Sequence, residues 1–589
     1  MKRLVGRILT IIGGAVVGAV LLGVAGRYLW RGHVPARTVL EIDLERPLAE
    51  YVPRDPLAGL LQSRRVLLRD VLEGLDRAKR DDRVVGLIAR IGGAPLGLAQ
   101  IQELRDAVTD FRSGGKRAIA FGEAFGEFGP GNGAYYLATG FGEIYLQPSG
   151  DVGVTGLLAE APFLRGTLDK LGVVPRFSAR GEYKNAVNTF TEYRFTAPHR
   201  EATERLIASQ FGQIVRGIAT ARGLPEDGVR AIIDRAPLSA QEALDAHLLD
   251  GIAYRDEVLA KLDEGGEKPE RVPLLRYLAL AGPPSIGGDT VALIHGVGAV
   301  QGGKSGVDPL SGDVGMGSDT VSAAFRDAVD ADRVRAILFR IDSPGGSYVA
   351  SDTIWREVSR AREAGKPVIV SMGNVAASGG YFVAIPADRI VAQPGTITGS
   401  IGVFAGKMLT SGFWQKLGVS FDQVHTSENA TMWTGLHDYT PAERARFDAA
   451  LDRIYEDFTT KVAAGRKLPK ERVLEIAKGR VWTGEDAREL GLVDALGGYP
   501  EALRQVRDSL GLAADAPIHL EPFPAPRGLL GGLVARAVAP DDDSSDEEPA
   551  VSTLRAGLEA VHAVTQSLRS AGLLADQGLL GVVPPPGIR

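Results

Sequence analysis

The sequence predicts an α/β protein built from two tandem copies of one domain, preceded by a transmembrane helix. Three observations carry that prediction. Apolar, β-branched runs of strand length alternate with amphipathic helical stretches, the pattern of sheets covered by helices. The pattern then recurs: Arg83–Ile91 (RVVGLIARI) matches Arg333–Ile341 (RVRAILFRI), and Tyr135–Gly150 matches the stretch from Tyr381 to the Gln393-Pro394-Gly395 turn. Leu171-Gly172-Val173 pairs with Leu417-Gly418-Val419, Leu224-Pro225 with Leu468-Pro469, and Ala243–Asp250 with Ala487–Asp494. So long a period describes a duplicated domain and not a solenoid. Third, Ile8–Ala25 carries no charge, follows Lys2, Arg3 and Arg7, and precedes Arg27, Tyr28, Trp30 and Arg31.

That N-terminal run is at the short end of a bilayer span. A cleaved signal peptide ending near Gly23-Val24-Ala25 is the competing reading. Aromatic and basic residues at the far end suit a membrane interface and favour an uncleaved anchor. The basic start should stay in the cytoplasm, which places everything after it on the periplasmic side of a bacterial inner membrane. The expected organisation is an anchor at 1–32, a first copy at 38–262, a Gly-, Pro- and charge-rich linker at 263–289, a second copy at 290–512 and a tail at 513–589. Within the first copy Thr38–Ile42 reads as a strand and Val66–Arg80 as an amphipathic helix. Gln301–Ser318 has Gly and Lys but no Walker A spacing, so it reads as a mobile loop. The tail holds an acidic run, Asp541–Glu548, and an amphipathic stretch, Val551–Leu568.

Composition narrows the function. A chain of 589 residues exceeds one core. A net charge of −6 argues against a nucleic-acid surface. Zero cysteines exclude a thiol nucleophile, disulfides and thiolate-held metals. The eight histidines show no metal-binding spacing, so neither a metal nor another cofactor is expected.

The chemistry centres on Gly373–Ala384 (GNVAASGGYFVA), which follows a buried strand at Pro367–Met372. Ser378 stands at a strand-to-helix turn among small residues. Such a turn lets a substrate backbone approach and offers free N–H groups to a developing oxyanion. Upstream, a strand at Ala336–Ile341 leads into Asp342-Ser343-Pro344-Gly345-Gly346. Taken alone, Ser378 is an ordinary helix cap and Pro-Gly-Gly an ordinary turn. In this order and spacing the two motifs resemble the signal peptide peptidase A (protease IV) family in its long, tandem-repeat form. Its members are Ser/Lys peptidases of the Clp-protease/crotonase superfamily. The resemblance implies ββα superhelical domains, Ser378 as nucleophile, and an oxyanion hole from the N–H groups of Gly379 and of Gly345 or Gly346, with Gly346 favoured. It spans both copies and fades after about Leu512.

The two copies divide the chemistry. Ser378 aligns with Asn132, and the first copy's Pro-Gly-Gly counterpart is degraded to Ile91-Gly92-Gly93-Ala94-Pro95. In exchange the first copy carries Gly181–Ala186 (GEYKNA), similar to the family segment that holds the general-base lysine, here Lys184. The second copy has Ala430 at that position. Most lysines are surface residues; the complementary loss is what singles this one out. A serine hydroxyl needs a base, and lysine can be one only when desolvation keeps it neutral. The resemblance further implies that Ser400, in Pro394–Gly402, orients the lysine. Rival readings are a Ser-His-Asp peptidase with His425 as nearest histidine, acyl-CoA chemistry on the same fold, and a catalytically silent membrane scaffold. The expectation is a membrane-anchored endopeptidase that degrades cleaved signal peptides and other apolar peptides. A homotetramer is implied by the resemblance alone, and no nucleic-acid partner is expected.

Overall fold

The apolar runs become parallel strands covered on both faces, which is why they read as continuous rather than alternating hydrophobic stretches. The computed structural model describes residues 33–53, 65–93, 95–263, 268–282, 287–308 and 313–524. In the first copy the strands lie side by side in the order Gly251–Ile252, Glu143–Leu146, Arg117–Gly122, Val84–Arg90, Thr38–Asp43 and Glu270–Pro273, all parallel. The second copy repeats this order with Ala495–Leu496, Arg389–Ala392, Val368–Ala377, Val334–Ser343, Asp289–Val297 and Ile518–Phe523. Parallel neighbours require crossovers, and the amphipathic stretches supply them. Leu68–Arg80 is one: Leu68, Val71, Leu72, Leu75 and Ala78 form its buried stripe, with Asp70 in the first turn and Arg77, Lys79 and Arg80 in the last, as the helix dipole favours.

Three stretches differ from expectation. The 263–289 linker contains a strand, Glu270–Pro273, that closes one edge of the first sheet, and a helix, Leu274–Ala281. Four residues with two charges and a proline give no strand signal by themselves. The sheet edge beside Thr38–Asp43 supplies it. Likewise the second copy does not stop at 512, because Ile518–Phe523 pairs with Asp289–Val297 in the equivalent place. Gln301–Ser318, expected as a mobile loop, contributes to a small sheet in which Val314–Gly317 pairs with Ala299–Gln301 and Gly306–Val307. The proposed anchor at Ile8–Ala25, the acidic run and Val551–Leu568 lie outside the described residues. Among the described residues no helix is long and apolar enough to cross a membrane.

Two features weld the copies. The first is an antiparallel ladder in which Val174–Arg180 of the first copy pairs with Val403–Leu409 of the second, from Val174↔Leu409 to Arg180↔Val403. The second is a buried charge centre. Arg340, in the middle of an apolar strand and 0% exposed, binds Glu50 through Nε at 3.0 Å and Nη2 at 2.9 Å. The same guanidinium reaches Glu103 at 2.9 Å and Ser371 Oγ at 2.8 Å. Both carboxylates come from the first copy. At the equivalent position Arg90 is 38% exposed and bridges Glu45 and Glu123 at the surface.

Candidate active site

The Val368–Ala377 strand ends at Ser378, whose φ of 53° and ψ of −118° lie where a residue with a side chain is strained. Ser378 N–H donates to Gly399 O at 2.9 Å and Ser378 O accepts Phe382 N–H at 2.8 Å, so the turn is fixed on both sides. The Oγ meets Lys184 Nζ at 3.0 Å. That contact joins residues from the two copies.

Lys184 follows the Val174–Arg180 half of the ladder, which carries it across the seam. The connecting turn is gripped by the second copy: Tyr183 N–H donates to Lys478 O at 2.9 Å, and Lys184 N–H closes onto Gly181 O at 3.2 Å. Gly181 has φ +93°, and a Cβ there would stand 2.1 Å from the Lys478 carbonyl carbon. From the other side Gly479 packs so closely that its Cβ would be 2.6 Å from Lys184 Cβ. The lysine is left 6% exposed and Ser378 8%. Burial alone pulls the Lys184 ammonium down from 10.5 to about 7.

Ser400 also has positive φ, 51°, and is held by its N–H to Arg480 O at 2.7 Å. Its Oγ and carbonyl oxygen lie 3.0 and 2.9 Å from Lys184 Nζ. A neutral amine has two N–H groups and one lone pair. With the two N–H groups donated to Ser400, the lone pair is left to accept the Ser378 proton. The arrangement can therefore run general-base activation of a serine hydroxyl.

The expected oxyanion donors converge beside Ser378. A Cβ on Gly345, at φ +103°, would stand 2.6 Å from Gly379 N and 2.8 Å from Ser378 Cβ. Gly345 N–H donates to Ser343 Oγ at 3.2 Å, whereas Gly346 N–H and Gly379 N–H have no acceptor among the described residues. Of the two alternatives in the Pro-Gly-Gly turn, Gly346 is thus the one with an open donor.

The equivalent places in the other copy hold different things. Asn132 locks its turn, donating to Gly156 O at 2.7 Å and accepting Gly156 N–H at 3.0 Å. Ala430 is exposed in a short turn, Glu428–Thr431. The rival base lies elsewhere: His425 is exposed with a ring nitrogen 3.0 Å from Ser427 O. Lys407 donates to Met432 O at 2.9 Å over the Tyr439 ring. Among the described residues no group of three or more acidic or histidine side chains is placed to hold a metal.

Sequence reasoning missed the Lys478-Gly479-Arg480 loop that seals the lysine. Its role depends on contact between copies, which no local pattern records.

A serine beside a lysine that burial holds near neutral, set between duplicated α/β units, is the arrangement of a serine hydrolase, and the relatives make the class serine protease. The chain belongs to peptidase family S49, whose model matches residues 116–268 and 360–513, once in each copy. It is similar to Protease 4 of Salmonella typhi, 34% identical over 455 residues, which cover 75% of this chain and 72% of that one. Protease 4 of Haemophilus influenzae is 30% identical over 77% of this chain and 75% of its own length. The chloroplastic serine protease SPPA of Arabidopsis thaliana is 29% identical over 86% and 74%.

Proposed function

We propose that this serine protease is a membrane-anchored endopeptidase whose Ser378/Lys184 dyad degrades cleaved signal peptides and other apolar peptides. The observation that carries the reading is the 3.0 Å contact between Ser378 Oγ and a lysine that burial alone brings to about 7. Ser378 attacks the scissile carbonyl, Lys184 takes its proton, Ser400 orients the amine, and the N–H groups of Gly379 and Gly346 hold the oxyanion. Lys184 then returns the proton to the leaving amine, and water repeats the sequence on the acyl-enzyme. The domains are read as Clp-protease/crotonase-like superhelical units, with the anchor at 1–32 keeping them at the periplasmic face of the inner membrane. The test is turnover of a synthetic signal peptide together with labelling by a serine-reactive phosphonate. Ser378→Ala should abolish both, and a folded Ser378→Ala protein that still cleaves refutes the assignment.

The duplication also supports a closed homo-oligomer. Within the chain, the second copy's face around Arg340 is covered by the first copy. The matching face of the first copy, around Arg90, is open. The counterparts of the ladder strands, 157–163 and 420–426, are likewise unpaired with each other, and Leu158, Phe421 and Val424 are exposed there. A second chain offering its second copy to this face satisfies both, and a head-to-tail repeat of that contact can close into a ring. Four chains is the number the family resemblance implies. Sedimentation of detergent-extracted protein tests it, and a monomer refutes it.

A further inference from the structure

The nucleophile strand and the Pro-Gly-Gly strand fall out of step just before the site. Ile341 pairs with Met372, but Ser343 pairs with Ala376, so two steps on one strand oppose four on the other. The three residues opposite Asp342, Gly373-Asn374-Val375, carry the two extra ones and are gripped from both sides. From its own copy, Asp342 Oδ1 accepts Val375 N–H at 2.9 Å. Thr396 Oγ1 donates to Gly373 O at 2.8 Å. From the other copy comes the start of helix Leu98–Ser113. Its cap residue, Gly97, has no side chain to satisfy the free N–H groups. Asn374 Oδ1 does so across the seam, accepting Gln100 N–H at 3.1 Å. A Cβ at Gly97 would stand 2.2 Å from Asn374 Cγ, so the glycine is what admits the amide.

We propose that Asp342 and Asn374 are positioning residues for hydrolysis, which clamp this bulge between the copies and so set the offset between Gly346 N–H and Ser378. The proposal rests on the Ser378/Lys184 reading above. Asp342 adjoins Ser343, whose hydroxyl donates to Gly298 O at 2.6 Å and accepts Gly345 N–H, leaving Gly346 N–H free. Val375 and Ser378 lie on the same short segment, with Gly379 N–H next in line. A slip of the bulge therefore moves one oxyanion donor relative to the other. Such donors act only within a few tenths of an ångström of the right position. Neither Asp342 nor Asn374 touches the lysine, and neither meets the reacting atoms.

The test compares the full-length wild type with Asn374→Ala, Asp342→Asn and Asp342→Ala, measuring kcat, KM and the pH at which activity rises. Loss of the clamp should lower kcat about 10- to 100-fold in Asn374→Ala, with KM within about twofold and the pH midpoint unmoved. Asp342→Asn keeps an oxygen acceptor for Val375 N–H and should retain more activity than Asp342→Ala. If Asn374 merely holds the copies together, its removal hydrates Lys184 and drives the pH midpoint upward, which overturns the proposal. Wild-type kcat in Asn374→Ala overturns it as well. Should Asp342→Ala not fold, Asn374→Ala still decides between those outcomes. Activity surviving in Ser378→Ala or Lys184→Arg would instead condemn the dyad and is read separately from the clamp.

Discussion

Lowering the pH from 9 to 5 should extinguish the protease as the buried Lys184 amine takes up a proton. With Lys184 at about 7, half of the molecules hold a neutral base at that pH. At the ordinary value of 10.5 the neutral fraction at pH 7 is about 0.03%, so burial raises the supply of base roughly 1,500-fold. The value of kcat/KM on a fluorogenic peptide should fall about tenfold per pH unit below 7 and level off above it. At pH 5 it should be about 100-fold below the plateau. Stability moves in the same direction. The folded-state value is depressed, so the unfolded chain binds the extra proton between about 7 and 10.5. The burden of Lys184 is then fully present below 7, about 5 kcal/mol for a shift of this size, and is relieved as pH rises through that window. Lys184→Met should accordingly stabilise the fold at pH 6 by about 3 kcal/mol more than at pH 9, measured by chemical denaturation. An activity midpoint above pH 9, or a Lys184→Met advantage that does not change with pH, refutes a neutral lysine held by burial.

Other outcomes follow from the seam. Lys184→Arg should fold but be inactive on the same peptide, because a guanidinium stays charged; turnover near wild type removes Lys184 from the mechanism. Arg340→Met leaves Glu50 and Glu103 buried without their partner and should cost about 3–5 kcal/mol in denaturant titration; no change in midpoint means the centre is already hydrated. Halves separated at 283–286 should each be inactive and regain peptidase activity on mixing, the linker supplying mainly effective concentration. An active isolated second half would point to a base of its own, with Lys407 and His425 the first to test. Protease added to intact spheroplasts should digest the catalytic units, and protection until lysis would reverse the proposed topology.

How much of this the sequence disclosed depended on whether a feature was local or shared. The α/β alternation and the duplication were legible because each strand and helix carries its own periodicity. That Ser378 and Lys184 should meet was legible through the family resemblance and through one copy serving as the other's control, with Asn132 and Ala430 at the equivalent positions. The Glu270–Pro273 strand was not, since its only instruction is the neighbouring edge. Nor was the role of Gly479, which is an unremarkable turn glycine until Lys184 is packed against it. Arg340 sat in view as a charge within AILFRI, but its meaning lies in Glu50 and Glu103, residues distant in the chain. What escaped was the chemistry written across the seam between copies.

The ladder between Val174–Arg180 and Val403–Leu409 also bears on how the enzyme is born. During synthesis the half that carries the lysine emerges first and has neither a nucleophile nor anything to shield the amine, which stays protonated. The serine arrives later, and its sheet is not complete until Ile518–Phe523 has been made. A chain cut before that strand therefore carries Lys184 and Ser378 without the completed sheet that sets them side by side.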